Sequence, residues 1–168
     1  MKKSFVAVLM GSDSDLPTMQ ATLAVLDKFG VAREVKITSA HRTPVATHAY
    51  VKDADARGCK VFIAAAGLAA HLAGTIAALT IKPVIGVPMD AGPLKGIDAL
   101  LSTVQMPSTV PVASMAIGKA GAVNAGYLAV QILALTDANL AQKLLQDREE
   151  NEKLIQDQDA AALQKLSN

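Results

Sequence analysis

Short runs of apolar residues alternate along this chain with segments of helical length. Phe5–Met10 is apolar at every position, the pattern of a strand covered on both faces. Leu16–Phe29 carries apolar residues at helical spacing and ends at Gly30, so it predicts an amphipathic helix closed by a C′ glycine. Arg33–Thr38 alternates and predicts a second strand. Thr43-Pro44 reads as an N-cap followed by proline at N1, opening a helix to Arg57 that Gly58 stops. Lys60–Ala66 and Pro83–Met89 predict a third and a fourth strand, with a helix over His71–Thr80 between them. Val110–Ile117 predicts a fifth strand. Gly121–Leu135 is so rich in small and aliphatic residues that it predicts a helix buried nearly all round. Strands alternating with helices mean an α/β fold: a parallel central sheet with a helical layer on each face.

The end of the chain differs. From Asp137 a helix is expected to run to about Leu166, with leucines and one isoleucine separated by a polar run from Gln146 to Lys153. A helix of about 30 residues spans about 45 Å, longer than a domain of this size is wide. It is expected to project and to cover its apolar stripe on a neighbouring subunit. The 168 residues fit one domain, with a catalytic core over 1–135 and the terminal helix over 136–168.

Composition narrows the picture. Half the residues are hydrophobic (51%) but only 3% are aromatic, so the core is aliphatic. Sixteen basic and 15 acidic residues leave a formal charge of +1, which offers no field for nucleic acid. The single cysteine, Cys59, suits a reducing compartment and reads as inert. Met1–Ser4 runs straight into a strand too short for a signal peptide or a membrane span. The expectation is a cytoplasmic protein that touches no membrane.

In an open parallel sheet, ligands bind beyond the carboxyl ends of the strands. Three loops there carry unusual residues. Gly11-Ser12-Asp13-Ser14-Asp15 offers hydroxyls and backbone N–H groups to an anion. Its Asp15 either caps the following helix or accepts hydrogen bonds from ribose hydroxyls. Ser39-Ala40-His41-Arg42-Thr43-Pro44 joins a guanidinium suited to phosphate with an imidazole suited to proton transfer. Ala65–His71 is nearly featureless and lets backbone approach a flat ligand. His71 is expected only to start a helix and bond to backbone, and His48 to be solvated. A fourth loop is read around Ser102–Pro107. No pair of Cys or His residues has metal-ligand spacing, and no Gly-x-Ser-x-Gly elbow is present. The residues by themselves point to a site for a phosphate-bearing small molecule with a histidine acid/base.

Taken together and in order, these stretches resemble the PurE family. They are Met10-Gly-Ser-Asp-Ser-Asp15, Ser39-Ala-His-Arg-Thr-Pro44, Ala69-Ala-His-Leu72, Pro83-Val-Ile-Gly-Val-Pro88, Gln105-Met-Pro107 and Ala116–Ala125. Arg42 and Ala69-Ala70 match the bacterial type, 5-(carboxyamino)imidazole ribonucleotide mutases. The related carboxylases, which take free carbon dioxide, show Ser-Ala-His-Lys and a Ser-Asn-containing third loop. The resemblance covers about residues 5–135. It implies a flavodoxin-like three-layer fold, a homo-octamer, and an isomerisation in purine synthesis that needs no cofactor. It also implies a synthetase upstream, in transient contact, that makes the substrate with ATP. Carried over, Ser12, Asp15 and Arg42 match ribonucleotide-binding positions, and His41 matches the acid/base. Ser39 falls near the phosphate. Gly67 and the loop that follows it, with Ala66 and Leu72, fall in the segment covering the imidazole and carbon dioxide, and Gly11 opens the first loop. Leu68 stands where the bacterial type has glycine, Ala73 where it has proline, and Ser108-Thr109 where it has Arg-Gly. A non-catalytic nucleotide-binding module of the same shape is the reading from another class, and His41 discriminates: such a module has no turnover to lose.

Overall fold

The computed structural model describes residues 4–166, so the Met1–Lys3 stretch of the leader reading lies outside the described residues. Five parallel strands form one sheet in the order β2-β1-β3-β4-β5: β1 Phe5–Met10, β2 Arg33–Ile37, β3 Cys59–Ala66, β4 Val84–Pro88 and β5 Ala113–Ser114. This is the flavodoxin-like order, in which the chain runs outward from β1 to β2, then crosses back to β3. The helices are α1 Leu16–Phe29, α2 Pro44–Arg57, α3 Leu72–Ala77, α4 Ile97–Val104, α5 Lys119–Ala134 and α6 Ala138–Leu166.

The alternation of side chains along the strands builds two cores. Phe5, Ala7 and Leu9 of β1 and Phe62 and Ala64 of β3 pack with Val51 and Ala54 of α2 and with Leu72, Ala73 and Ile76 of α3. On the opposite face Val6, Val8, Met10, Ile63 and Ile85 are as deeply buried. The third layer, α1 and α5, is locked by close approach. Thr22 donates to the Ala122 carbonyl at 2.6 Å, and a Cβ on Gly126 would stand 2.8 Å from Cβ of Val25. Phe29 and Tyr127 meet edge to face at 5.7 Å. With so few aromatics, small residues let these helices pack tightly, which is how an aliphatic core reaches native density.

Several expectations change. Ile97–Val104 is helix α4, so Ser102–Val104 belong to a helix and not to a fourth loop. Its apolar residues Ile97, Leu100, Leu101 and Val104 have helical spacing, and Gly96 at its N-cap lies at φ 86°. The fifth strand shrinks to Ala113–Ser114, paired only to Ile85 and Gly86, because Pro111 supplies no N–H to a ladder. Helix α3 ends at Ala77. In α5 burial is confined to one side, at Gly121, Ala122, Ala125, Gly126, Ala129 and Val130. Cys59 is the first residue of β3; burial pushes its thiol up to about 11.

The chain divides into two compact units, Met1–Ile132 and Leu133–Asn168. The second holds α6, a continuous helix of 29 residues. Asp137 caps it as expected: its carboxylate accepts from Asn139 N at 3.0 Å and from Leu140 N at 3.2 Å. Leu145, Leu154, Ile155, Leu163 and Leu166 along it are exposed. Among the described residues no helix is long and apolar enough to cross a membrane.

Candidate active site

The loops after β1, β2 and β3 converge because these three strands are neighbours and point the same way. Hydrogen bonds tie their ends together: Gly11 N donates to Ala65 O at 3.0 Å, Thr38 N to Met10 O at 2.9 Å, and Met89 N to Ala66 O at 2.9 Å. Between the loops lies a cavity of about 490 Å³. Its lining takes in every candidate residue read from the sequence: Gly11, Ser12, Asp15, Ser39, His41, Arg42, Ala66, Gly67 and Leu72. It also takes in Ser14, Ala40, Leu68, Ala69, His71 and Ala91.

The first loop is a turn of 3-10 helix over Asp13–Asp15 closed by a capping box. Ser14 N donates to Ser12 Oγ at 3.3 Å, and Ser12 N donates to Asp15 Oδ2 at 3.2 Å. Asp15 therefore caps this turn; its side chain makes no cap bond to α1. The residue is 8% exposed. Burial lifts its pKa above the usual carboxylate value, against the pull of backbone N–H groups at Ser12 and Gly11; the nearby Asp13 charge adds to the rise.

The second loop is held by threonines that sequence reasoning passed over. Thr38 and Thr47 hydroxyls lie 2.7 Å apart, and Thr38 and Thr43 hydroxyls 3.2 Å apart. Thr43 sits at the N-cap of α2 but its hydroxyl does not cap the helix. It turns back instead, accepting from Ser39 N at 2.9 Å and donating to Ser39 O at 3.2 Å. Ser39 Oγ in turn accepts from Arg42 N at 3.1 Å. The Arg42 guanidinium reaches across to Gly11 O at 2.9 Å, joining the first loop to the second. The run of threonines at positions 38, 43 and 47 was the available signal, since residues 43 and 47 share a helix face.

His71 corrects the sequence reading. Its backbone does start α3, with Thr75 N donating to His71 O at 2.9 Å. Its ring, however, turns to another side chain: Nδ1 lies 2.7 Å from Nε2 of His41, with ring planes at 82°. His48 is exposed on α2 as expected.

The third loop carries strain. Leu68 sits at φ 56° and Thr109, farther on, at φ 76°. A left-handed backbone costs a leucine about 1–2 kcal/mol. The loop is pinned from α4: Ser102 Oγ accepts from Ala70 N at 2.9 Å and donates to Asp98 O at 2.8 Å. The cavity thus has a polar wall of Ser12, Asp15, Ser39 and Arg42 and an apolar wall of Ala66, Gly67, Leu68, Leu72 and Ala91, with the histidine pair at the same opening. Among the described residues no three His, Cys, Asp or Glu side chains gather as metal ligands.

The chain is similar to known proteins over most of its length. The family model described as AIR carboxylase matches residues 5–154. An N5-carboxyaminoimidazole ribonucleotide mutase of Synechocystis is 52% identical over 155 residues, 92% of this chain and 87% of that relative. The Bacillus subtilis protein of the same name is 55% identical over 150 residues, 89% and 93% of the two chains. A chloroplastic phosphoribosylaminoimidazole carboxylase of Vigna aconitifolia is 47% identical over 152 residues, 90% of this chain but 27% of that much longer protein. The crystal structure of Treponema denticola PurE superposes with a TM-score of 0.84 at 28% identity, covering 94% of this chain and 97% of that one. The chain belongs to the AIR carboxylase family, the PurE family its loops resemble.

Proposed function

We propose that this protein is an isomerase of purine synthesis, an N5-carboxyaminoimidazole ribonucleotide mutase. It moves the carboxylate of 5-(carboxyamino)imidazole ribonucleotide from the exocyclic nitrogen to the ring carbon, giving 4-carboxy-5-aminoimidazole ribonucleotide. The observation that carries this reading is the two-sided cavity with His41 at its edge, in a chain 52% and 55% identical to proteins of that name.

Each wall has a task. Arg42 and Ser39 take the phosphate, where a guanidinium supplies two parallel donors. Ser12 and Asp15 take ribose hydroxyls. The apolar wall lies against the imidazole and keeps water from the reacting carbon. His41 gives a proton to the exocyclic nitrogen as its bond to the carboxylate breaks, which leaves an amine and carbon dioxide. The ring carbon then attacks carbon dioxide, and His41 takes back the ring proton. Protons and electrons balance over the cycle, so the reaction draws on no cofactor. The same reading makes the protein a cytoplasmic homo-octamer, fed by an ATP-dependent synthetase that passes on the labile substrate by transient contact.

The test is incubation with the carboxyamino substrate in the absence of ATP, followed by ultraviolet absorbance. Enzyme-dependent formation of the 4-carboxy product is expected. The carboxylase named among the relatives motivates a second arm, aminoimidazole ribonucleotide with bicarbonate. Turnover in that arm alone would replace the mutase reading with a carboxylase, and turnover in neither would leave a binding module.

A further inference from the structure

We propose that Ser102 is a positioning residue for the reaction. From helix α4, outside the cavity, it holds the loop that carries His71 and so fixes the approach of His71 to His41. This role rests on the mutase reading above, in which His41 moves the proton. Neither Ser102 nor Ala70, the residue it grips, is among the described residues that line the cavity.

The loop before α3 turns sharply. Leu68 lies at φ 56°, and His71 N donates to Ala69 O at 2.9 Å across a three-residue turn. Ala70 is buried, while Leu68, Ala69 and His71 around it are exposed. A buried N–H needs a partner, and Ala70 N finds Ser102 Oγ at 2.9 Å. A serine hydroxyl has one proton to give. The Asp98 carbonyl, four residues back on α4 and 2.8 Å away, takes it. One hydroxyl therefore joins the two elements, its proton going to the helix and its lone pair to the loop. The helix is itself closely seated. Thr103 beside Ser102 is buried, and a Cβ on Gly86 of β4 would stand 2.4 Å from its Cγ2, so glycine at 86 lets α4 lie directly on the sheet.

Beyond the turn, the His71 carbonyl accepts from Thr75 N at 2.9 Å in the first turn of α3. His71 is thus held on both sides, through Ala70 N before it and through α3 after it. Its Nδ1 then meets Nε2 of His41 at 2.7 Å. A contact of that length tolerates little displacement, so freeing Ala70 N is felt at His41. The polar wall is held separately: Ser12, Asp15, Ser39 and Arg42 stand on the loops after β1 and β2, with bonds among those loops. Ser102 therefore bears on the proton step and not on the grip on phosphate and ribose.

Three substitutions separate the hydrogen bond from the space it fills. Ser102→Ala removes the acceptor. Ser102→Cys keeps nearly the same shape with a weak one, and it carries the test if the alanine variant does not fold. Ser102→Thr keeps the hydroxyl, which in a helix can also bond four residues back. Steady-state kinetics with the carboxyamino substrate are measured on the full chain, well below each melting temperature. Ser102→Ala and Ser102→Cys are expected to lower kcat by roughly tenfold with KM within about twofold of wild type, and Ser102→Thr to restore kcat to within about twofold. Placed in a His71→Asn background, Ser102→Ala is expected to lower kcat no further, because the ring it steers is gone. Wild-type kcat in both the alanine and the cysteine variants would overturn the role of Ser102 alone. So would a rise in KM with kcat unchanged, or a full further loss in the His71→Asn background, since the residue would then act on binding or on the fold at large. A wild-type chain that makes no product would overturn the mutase reading and this role with it.

Discussion

Nε2 of His41 and Nδ1 of His71 stand 2.7 Å apart across the mouth of the cavity, on loops that follow different strands. At that distance one nitrogen carries the proton and the other a lone pair. The two rings meet edge to face, so the contact holds the tilt of His41 and ties its tautomer to that of His71. His71 thus does more than start a helix: its ring orients His41, the acid/base of the proposed reaction.

His41→Asn is expected to lower kcat by about 10²–10⁴-fold while leaving ribonucleotide affinity nearly intact. His71→Asn should lower kcat by less, and the double variant should be no worse than His41→Asn, because both changes remove one proton path. Steady-state kinetics with calorimetric binding of the product checks this. A His41→Asn variant keeping more than about a tenth of wild-type kcat would remove it from the acid/base role.

Arg42→Ala is expected to weaken ribonucleotide binding by roughly 10- to 150-fold, the worth of a charge-assisted bond to phosphate. The side chain lies exposed between the first and second loops, and among the described residues it bonds to Gly11 O, so the melting temperature should hardly move. Unchanged affinity in titration calorimetry would place Arg42 away from the phosphate.

The meeting of three strand-end loops was legible in the sequence because parallel topology forces it: once Phe5–Met10, Arg33–Ile37 and Cys59–Ala66 are neighbouring strands, their exits must converge. Helix α4 was hidden because Ile97–Val104 follows a run of Gly, Pro and Lys that reads as loop and ends at Gln105-Met106-Pro107. The pairing of His41 with His71, 30 positions apart, could not be read locally, since it forms only where the loops after β2 and β3 meet in the folded sheet. Nor could the left-handed turn at Leu68, a residue whose own preference is against it. Ser102, singled out within a loop, matters through the Ala70 N–H it accepts from a helix.

Asp15→Asn separates stability from function. Burial raises the folded carboxyl above the usual carboxylate value. Its contribution to stability is therefore present below the unfolded pKa and lost as pH rises through the higher folded one. At neutral pH the ionised group opposes folding, and the amide relieves that opposition. The melting temperature at neutral pH is expected to equal or exceed that of wild type. Ribonucleotide affinity is expected to fall by about tenfold or more, through loss of a charged acceptor. Melting curves and calorimetry at one pH decide it. A variant that melts well below wild type would make Asp15 a structural cap first.

Truncation after Gln142 tests the terminal helix. The cut removes the part of α6 that carries Leu145, Leu154, Ile155, Leu163 and Leu166, all exposed in the single chain. A helix with polar residues between such positions gains little from solvent, and its stability must come from packing an apolar face. In the proposed octamer, eight chains of 17.4 kDa give about 140 kDa. A symmetric assembly repeats each contact, so losing one face weakens every copy of it and makes folding depend on protomer concentration. Light scattering of the full chain is expected near the octamer mass, and of the truncated chain well below it. Turnover should drop with the mass even though Ser12, Asp15, His41 and Arg42 are all retained. A truncated chain that keeps both the full mass and the full rate would show that the exposed leucines beyond Gln142 bind no partner copy, and that assembly is carried by residues 1–142.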